Sequence, residues 1–351
     1  MSAPDRGGPE GAPTASGSWR RADGSLNLSL QDINEIQHLL QGNSVIDWHR
    51  LALTREDEVR RLLALNCIDA DDPADQERLQ ELRVQAVRYI VEILKLRLDE
   101  QIASQVPWLQ LPLIASGRSS AHQRQACMLL KVMHIIYHLD ARELRTALAI
   151  SDSQIFSLVE ESVTLMIDAL RTAGVPVVEF SWSRKTKDSL ITKMLVKRET
   201  SAARVFDRLR FRLIVRGPDD LAPALHIMLR QCVPFNYVVP GQTVNSLVDL
   251  ERLTAIRDEA GASAGRGDSN EFSGSSFRIL NFIADLPVRV TELMPPEERQ
   301  SGRGSVVFVL AEFQVLDQQT AEVNEQGENS HALYKHRQHQ AVRVRLLREP
   351  K

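Results

Sequence analysis

The sequence predicts an α+β protein in which an all-helical domain is followed by a mixed-sheet domain. Apolar residues recur every three or four positions through the first half of the chain, as they do in amphipathic helices. Short runs of β-branched and aromatic residues, bounded by Gly, Pro, Ser or Asp, characterise the second half, and the change falls near Gly174. The 351 residues are enough for two ordinary domains. We therefore expect a disordered leader at residues 1–25, an α-helical domain at 26–174 and an α+β domain at 175–351.

The composition is that of a soluble globular protein, with 43% hydrophobic and 25% charged residues. The formal net charge of −3 argues against a general nucleic-acid binder. The three cysteines lie far apart, which disfavours a thiolate zinc site and a disulfide framework and favours a cytoplasmic location. No run approaches the ~18 apolar residues of a membrane helix, so we expect no membrane partner. The leader is rich in Pro, Gly, Ala and Ser, and this composition predicts disorder.

In the first half, apolar spacing predicts helices at residues 30–40, 79–98, 125–139 and 154–172. Asp71 and Asp72 before Pro73 are typical of a helix start. We expect these helices to pack around a core of their own. His134 and His138 lie four residues apart among apolar neighbours, without an evident third ligand. We therefore predict that they are a structural pair rather than a metal site.

In the second half, strand-like runs occupy residues 176–180, 209–215, 277–284 and 306–316, and a helical run occupies 219–232. The last of these strands is apolar on both faces up to Ala311, which predicts a central position in the sheet. The Gly- and Ser-rich segment 262–276 is predicted to be either a mobile active-site loop or plain disorder.

Basic residues are concentrated in segment 184–212, which contains ten of them and three acidic residues. This excess points to a polyphosphate or phosphate-backbone partner, and a solvated basic helix face is the alternative of about equal weight. The period of two places Arg208, Arg210 and Arg212 on one face of a strand. Three arginines on one face require anions, which a ligand or internal carboxylates would supply equally well.

Glu312 and Gln314 share one face of the predicted central strand, just after its apolar part. A carboxylate at the end of a buried strand must be paired, protonated or bound to a metal. One interpretation is a salt bridge from Glu312 to one of the arginines above. The other is a Mg²⁺ ligand or general base in phosphoryl transfer.

Five segments of the chain carry a family resemblance: 183–194, 206–215, 276–281, 312–315 and 331–335. In this order they resemble motifs of the RelA/SpoT-like alarmone synthetases, and the resemblance covers roughly residues 179–335. That family consists of nucleotidyltransferase-type domains that make guanosine tetra- and pentaphosphate. Two other runs, at 45–49 and 234–242, resemble an uncharacterised bacterial family and imply no activity.

The resemblance implies pyrophosphoryl transfer from ATP to the 3′-hydroxyl of a nucleotide or of an RNA 3′ end. It implies that Asp207 and Glu312 hold Mg²⁺ and that Glu312 helps to activate the acceptor hydroxyl. The implied ligands of the ATP phosphates are Lys185, Lys193, Arg184 and Arg212. The implied acceptor-binding residues are Phe277, Arg278 and Gln314, with the Phe277 ring stacking on the acceptor base.

Several positions depart from the family pattern. Ser183 stands where the family has an Arg that stacks on adenine, and Asn281 stands where it has a His. In a regular strand, Asp207 would lie on the face opposite Arg212. These departures imply either an acceptor other than GDP or GTP or a loss of activity. The second case is the alternative to the enzyme, a catalytically inactive regulatory protein that binds a nucleotide or RNA with the same fold. The helical domain would either regulate the second half or mediate self-association as a homo-oligomer.

Overall fold

The computed structural model has the predicted α+β architecture. It describes residues 28–41, 48, 51, 53–197, 208–249, 277–299, 304–326 and 331–347. Residues 1–25, predicted to be a leader, the Gly- and Ser-rich segment 262–276 and the predicted metal ligand Asp207 lie outside the described residues. No helix formed by the described residues combines the length and the apolar character that crossing a membrane requires.

The first part of the chain is helical. Its helices are α1 (Leu30–Gln41), α2 (Glu56–Leu65), α3 (Pro73–Arg88), α4 (Gln110–Ala115), α5 (Ala121–Ala147) and α6 (Asp152–Thr172). The start of α3 is as predicted, because the Asp72 side chain accepts hydrogen bonds from the backbone N–H groups of Ala74 and Asp75, and Pro73 occupies the first turn. Helix α6 begins at a capping box formed by Ser151 and Gln154.

Helix α3 ends earlier than the sequence predicts. The expected helix at 79–98 is α-helical only to Arg88, where it continues as one π-helical turn, Tyr89–Ile93. Lys95 then adopts a left-handed backbone conformation with φ 54°, which a helix cannot accommodate. The apolar periodicity was misleading because most of its side chains beyond Arg88 are exposed, and only Ile90 and Leu98 pack into the core.

The second part of the chain alternates strands and helices. Its elements are β1 (Val177–Arg184), α7 (Lys187–Lys197), β2 (Leu209–Val215), α8 (Leu221–Gln231), β3 (Val244–Asn245), β4 (Leu280–Arg289), α9 (Pro296–Arg299), β5 (Val306–Asp317), α10 (Gln318–Asn324) and α11 (His331–Leu346). Strand β2 has the predicted bounds, whereas β4 begins three residues later than expected and runs on to Arg289.

One mixed sheet of five strands has the order β1-β2-β5-β4-β3. Strands β2 and β5 are parallel, and the other neighbours are antiparallel. The predicted central position of β5 is confirmed. Aromatic rings stack across one sheet face, with centroid distances of 6.3 Å from Phe180 to Phe211, 5.3 Å from Phe211 to Phe313 and 5.1 Å from Phe313 to Phe282. This row joins four strands into one rigid layer.

Helices and sheet share their apolar core. Buried side chains from α1 to α6 form one continuous cluster with those of β2, β4, β5 and α8. Helices α5, α6 and α8 all contact β5. The described helices therefore have no core separate from the sheet, in contrast to the expectation, because α6 and α8 cover apolar strand faces. The domain boundary at residue 174 stays a prediction.

The two histidines of α5 lie between this helix and the sheet. The His134 ring stacks on Tyr237 at 4.4 Å between centroids, and His138 Nε2 lies 2.8 Å from Asp285 Oδ2 of β4. Burial, followed by the nearby His138, lowers the pKa of His134 to about 4. These contacts agree with the predicted structural pair.

Helix α1 carries buried charges that connect it to α8. Asp32 is buried, and its carboxylate accepts hydrogen bonds from the Ser29 backbone N–H and hydroxyl. His226 Nδ1 and Arg230 Nη1 of α8 lie 3.2 and 3.6 Å from Asp32 Oδ1. Burial alone would raise the pKa of Asp32, but the His226 and Ser29 contacts outweigh it and hold this pKa well below its ordinary value.

Candidate functional site

Polar side chains from three adjacent strands share one face of the sheet. In the strand register, Arg210 lies opposite Glu312, and Gln314 lies between Arg212 and Asn281. Because directly opposite residues of neighbouring strands point to the same side, these five side chains lie together. We call this group the polar sheet face. It faces away from the stacked aromatic rings and combines two guanidinium groups with one carboxylate and two amides.

The Glu312 carboxylate is enclosed by hydrogen-bond donors. Its side chain is only 9% exposed, and Glu312 Oε2 accepts a hydrogen bond from Arg210 Nε at 2.7 Å. Glu312 Oε1 accepts from Gln314 Nε2 at 3.2 Å. The Asn281 side-chain amide is oriented so that its nitrogen donates to the Phe313 carbonyl at 3.2 Å, and in this orientation it also donates to Glu312 Oε1 at 3.0 Å. The salt bridge that the sequence offered as one interpretation of Glu312 is therefore present.

These surroundings do not fit a Mg²⁺ ion bound to Glu312. Magnesium requires oxygen ligands around it, whereas the partners of Glu312 are a guanidinium and two amide N–H groups. Among the residues that the structure describes, no group of three or more His, Cys, Asp or Glu side chains is arranged to hold a metal. Asp207, the second predicted ligand, lies outside those residues. The anion that these donors hold in the structure is the Glu312 carboxylate itself.

Arg212 differs from Arg210 in the exposure of its carboxylate partner, while the two arginine side chains are about equally exposed, at 28% and 31%. Its Nη2 donates to Glu325 Oε1 at 2.9 Å, and the Glu325 side chain is 65% exposed. An exposed ion pair of this kind contributes little stability, so a phosphate can compete for the guanidinium at small cost. The Arg212 guanidinium is therefore the charge of the polar sheet face whose present partner is the easier to displace.

Arg184 lies on the opposite side of the sheet from the polar sheet face. Its β-partner is Leu209, whereas the neighbouring Ser183 is the partner of Arg210. Arg184 Nε donates to Glu160 Oε1 of α6 at 2.7 Å. The structure therefore does not bring Arg184 together with Arg212, and its role as a phosphate ligand stays a prediction.

Arg208 also contacts α6, although the period of two predicted it beside Arg210. The difference arises because β2 begins only at Leu209. Arg208 Nη2 lies 2.7 Å from Asp152 Oδ2, and the guanidinium lies over the Phe156 ring. Partial burial acts to raise the pKa of Asp152, but hydrogen bonds from Arg208 and Arg145 outweigh it and lower this pKa.

The two lysines predicted to bind ATP are on or beside β1 and α7. The Lys185 backbone N–H donates to the Arg208 carbonyl at 2.8 Å and continues the β1–β2 pairing by one residue. Lys193 lies on α7, and both lysine side chains are half-buried. Their contact with phosphate stays a prediction.

The predicted acceptor residues surround the start of β4. Phe277 packs against a small apolar cluster that contains Ile279 and Leu316. Arg278 is held by its guanidinium, which donates to the Ser246 carbonyl at 2.6 Å, and by its backbone, which exchanges two hydrogen bonds with the Asn324 side chain. Gln314 belongs to the polar sheet face, next to this cluster.

A cavity of about 680 Å³ opens elsewhere, along the N-terminal half of α5, with Gln123, Cys127 and Lys131 in its lining. It contains no residue of the polar sheet face.

Sequence reasoning assigned no binding role to Arg210 or Asn281. The alternation of arginines in β2 was the signal for Arg210, and it was used only to infer a need for anions. At Asn281 the sequence shows only a departure from the family histidine. The strand register is needed to place the Asn281 amide beside Glu312.

Comparison with known proteins adds little to this description. No family model matches the chain, and no curated protein matches it in sequence. Solved structures with some likeness include small alarmone synthetase 1 from Bacillus subtilis bound to its product pppGpp, with 13% identity, coverage of 54% of this chain and 85% of that chain, and a TM-score of 0.33. Small alarmone synthetase 2 from Bacillus subtilis has 13% identity, coverage of 54% and 86%, and a TM-score of 0.31.

A GTP pyrophosphokinase family protein from Streptococcus pneumoniae has 15% identity, coverage of 55% and 83%, and a TM-score of 0.31. At these TM-scores the likeness does not define the fold of this chain. The α+β class follows from its own helices and sheet.

Proposed function

We propose that the polar sheet face binds the polyphosphate of a nucleotide. The observation that carries this proposal is the grouping of Arg210 and Arg212 with the amides of Gln314 and Asn281 around one buried carboxylate. Guanidinium groups recognise phosphate through paired, charge-assisted hydrogen bonds. One N–H of the Gln314 amide donates to Glu312, and its second N–H supplies a further donor to a phosphate oxygen.

The finer form of the proposal is pyrophosphoryl transfer from ATP to a 3′-hydroxyl of a nucleotide or an RNA end. The position of Glu312 on the central strand, beside two arginines, supports it together with the five resembling segments. A phosphate that takes the Arg210 guanidinium leaves the Glu312 carboxylate uncompensated, and such a carboxylate is able to accept the proton of an acceptor hydroxyl. Mg²⁺ bound to Glu312 has no part in this proposal, because the described partners of Glu312 do not fit the ion.

The second candidate is the inactive binding protein. It is favoured by the same Arg210–Glu312 ion pair, which occupies the carboxylate that catalysis would need. In this case ATP or an RNA end binds to Arg212 and the neighbouring donors, and no group is transferred.

Equilibrium dialysis of the full chain with ATP tests the binding. Loss of one charged contact to phosphate is worth about 1.5–3 kcal/mol, so Arg212→Gln should weaken ATP binding about 10- to 100-fold. Arg216→Gln is the matched control, because Arg216 is exposed just after β2 and lies outside the polar sheet face. Absence of ATP binding, or equal losses in the two variants, would refute the proposal.

Incubation with γ-labelled ATP, Mg²⁺ and GDP, GTP, ADP or tRNA separates the two candidates. Transfer predicts a labelled product that Glu312→Gln abolishes while ATP binding persists. ATP binding without product from any acceptor supports the inactive protein.

A further inference from the structure

The end of α3 exposes a group of large apolar side chains. Every residue from 88 to 97 is exposed except Ile90. Six apolar residues here are between 42% and 59% exposed, and we call them the apolar ridge: Val84, Tyr89, Val91, Ile93, Leu94 and Leu96. Isolated exposed apolar side chains are ordinary, but six of them within thirteen residues of chain mark an interaction surface.

The area of the ridge is appropriate for a protein partner. Half-exposed side chains of this size leave about 500 Å² of apolar surface in total. Two such surfaces facing each other bury about 1,000 Å² before their polar rims are added, which approaches the ~1,200 Å² of a small stable interface.

Charged side chains border the ridge at both ends. Glu77 and Glu81 of α3 lie on its N-terminal side, and they line a depression of about 510 Å³ that also includes Val84. Glu81 is paired with Arg78 within α3. The exposed basic residues Lys95 and Arg97 lie at the C-terminal end of the ridge, whereas Arg88 and Glu92 are exposed inside it and Asp99 and Glu100 just beyond it. The charges that can orient a second copy are therefore Glu77 at one end and Arg97 at the other.

We propose that the apolar ridge is a two-fold interface with a second copy of this chain. A two-fold axis through the ridge presents the basic end of each copy to the acidic depression of the other, so that the contact forms twice. The apolar side chains lie at the centre and the charges at the rim, which is the usual anatomy of a homodimer. On this proposal the helical part mediates self-association rather than regulation of the second half of the chain. The proposal does not depend on the proposed function.

Sedimentation equilibrium of the full chain between about 1 and 100 μM tests the proposal. We expect a mass of twice 39.5 kDa. Ile93→Asp should raise the dimer dissociation constant at least 100-fold. The matched control is Leu165→Asp, at an apolar residue of α6 that is 65% exposed and outside the ridge, and it should leave dissociation unchanged.

A charge-reversal pair tests the orientation. Glu77→Lys should weaken the dimer at least tenfold, and adding Arg97→Glu should recover most of that loss. Far-UV circular dichroism establishes that each variant is folded, which is expected because the substituted side chains are exposed.

A wild-type chain that stays monomeric at 100 μM, or an Ile93→Asp variant that dimerises like the wild type, would overturn the proposal. A monomer that cosediments with phosphatidylcholine–phosphatidylglycerol vesicles, and loses this with Ile93→Asp, would assign the ridge to a lipid surface instead.

Discussion

Arg210 and Glu312 should contribute jointly to the free energy of unfolding, and the first test is the loss of this free energy in Arg210→Leu. The substitution leaves the Glu312 carboxylate, 9% exposed, with only two amide donors. Opposite charges about 4 Å apart at an effective dielectric constant of about 20 attract by about 4 kcal/mol. Arg210 is itself 31% exposed, so desolvation and screening reduce the expected loss of unfolding free energy to about 2 kcal/mol.

Urea unfolding at pH 7 of the wild type, Arg210→Leu, Glu312→Gln and the double variant forms a thermodynamic cycle. The double variant should lose about 1–2 kcal/mol less than the sum of the single losses, because neither partner is left behind alone. Arg212→Leu is the matched control on the same strand and face. Its partner Glu325 is 65% exposed, so its loss should stay below about 1 kcal/mol.

Additive losses in the cycle would refute the reasoning, because they would mean that Glu312 does not depend on Arg210 for its neutralisation. A loss for Arg212→Leu as large as that for Arg210→Leu would refute the role assigned to burial.

Three further predictions concern stability. The free energy of unfolding of the wild type should fall by up to about 3 kcal/mol between pH 6.5 and 4. The cause is that His134 has a pKa of about 4 in the folded protein, so that over this range its imidazole binds a proton only in the unfolded chain. His134→Phe keeps the stack on Tyr237 and should remove most of this loss in urea titrations at the two pH values; an unchanged loss would contradict the assignment. Asp32→Asn should lower the free energy of unfolding by about 3 kcal/mol at pH 7. Calorimetry should show that the difference in this free energy from the wild type narrows below pH 3.8, because a carboxylate with a lowered pKa stabilises the fold only while it is ionised and its unfolded counterpart is ionised too. A difference that does not change with pH would exclude this cause. Phe313→Ala should cost about 3–5 kcal/mol in urea unfolding, since its ring is 2% exposed and stacked on both sides, and a cost below 1 kcal/mol would show that the row is loosely packed.

Local sequence patterns predict the structure correctly where a feature depends only on residues that are close together in the chain. The apolar faces of β5 predicted its central position, and the Asp72–Pro73 pair predicted the start of α3. The alternation of Arg210 and Arg212 predicted that they share a face, because a strand repeats every two residues. These features are fixed within about ten residues of chain.

The remaining contacts join residues that are distant along the chain. His138 and Asp285 are 147 residues apart, and no local pattern relates them. The pairing of Glu312 with Arg210, rather than with Arg208 or Arg212, depends on the register between β2 and β5. The early end of α3 is not visible in the sequence because the apolar spacing continues past Arg88, although most of the apolar side chains there are exposed.

The shared core has a consequence for biosynthesis. Val163 and Ile167 of α6 are fully buried in a cluster that β4 and β5 complete, yet these strands leave the ribosome more than a hundred residues later. At about 5–20 residues per second the nascent helices wait on the order of 5–30 s with their apolar faces uncovered. The emerging chain is therefore a natural client for chaperones that shield hydrophobic segments, and slowing translation between α6 and β5 should increase its aggregation.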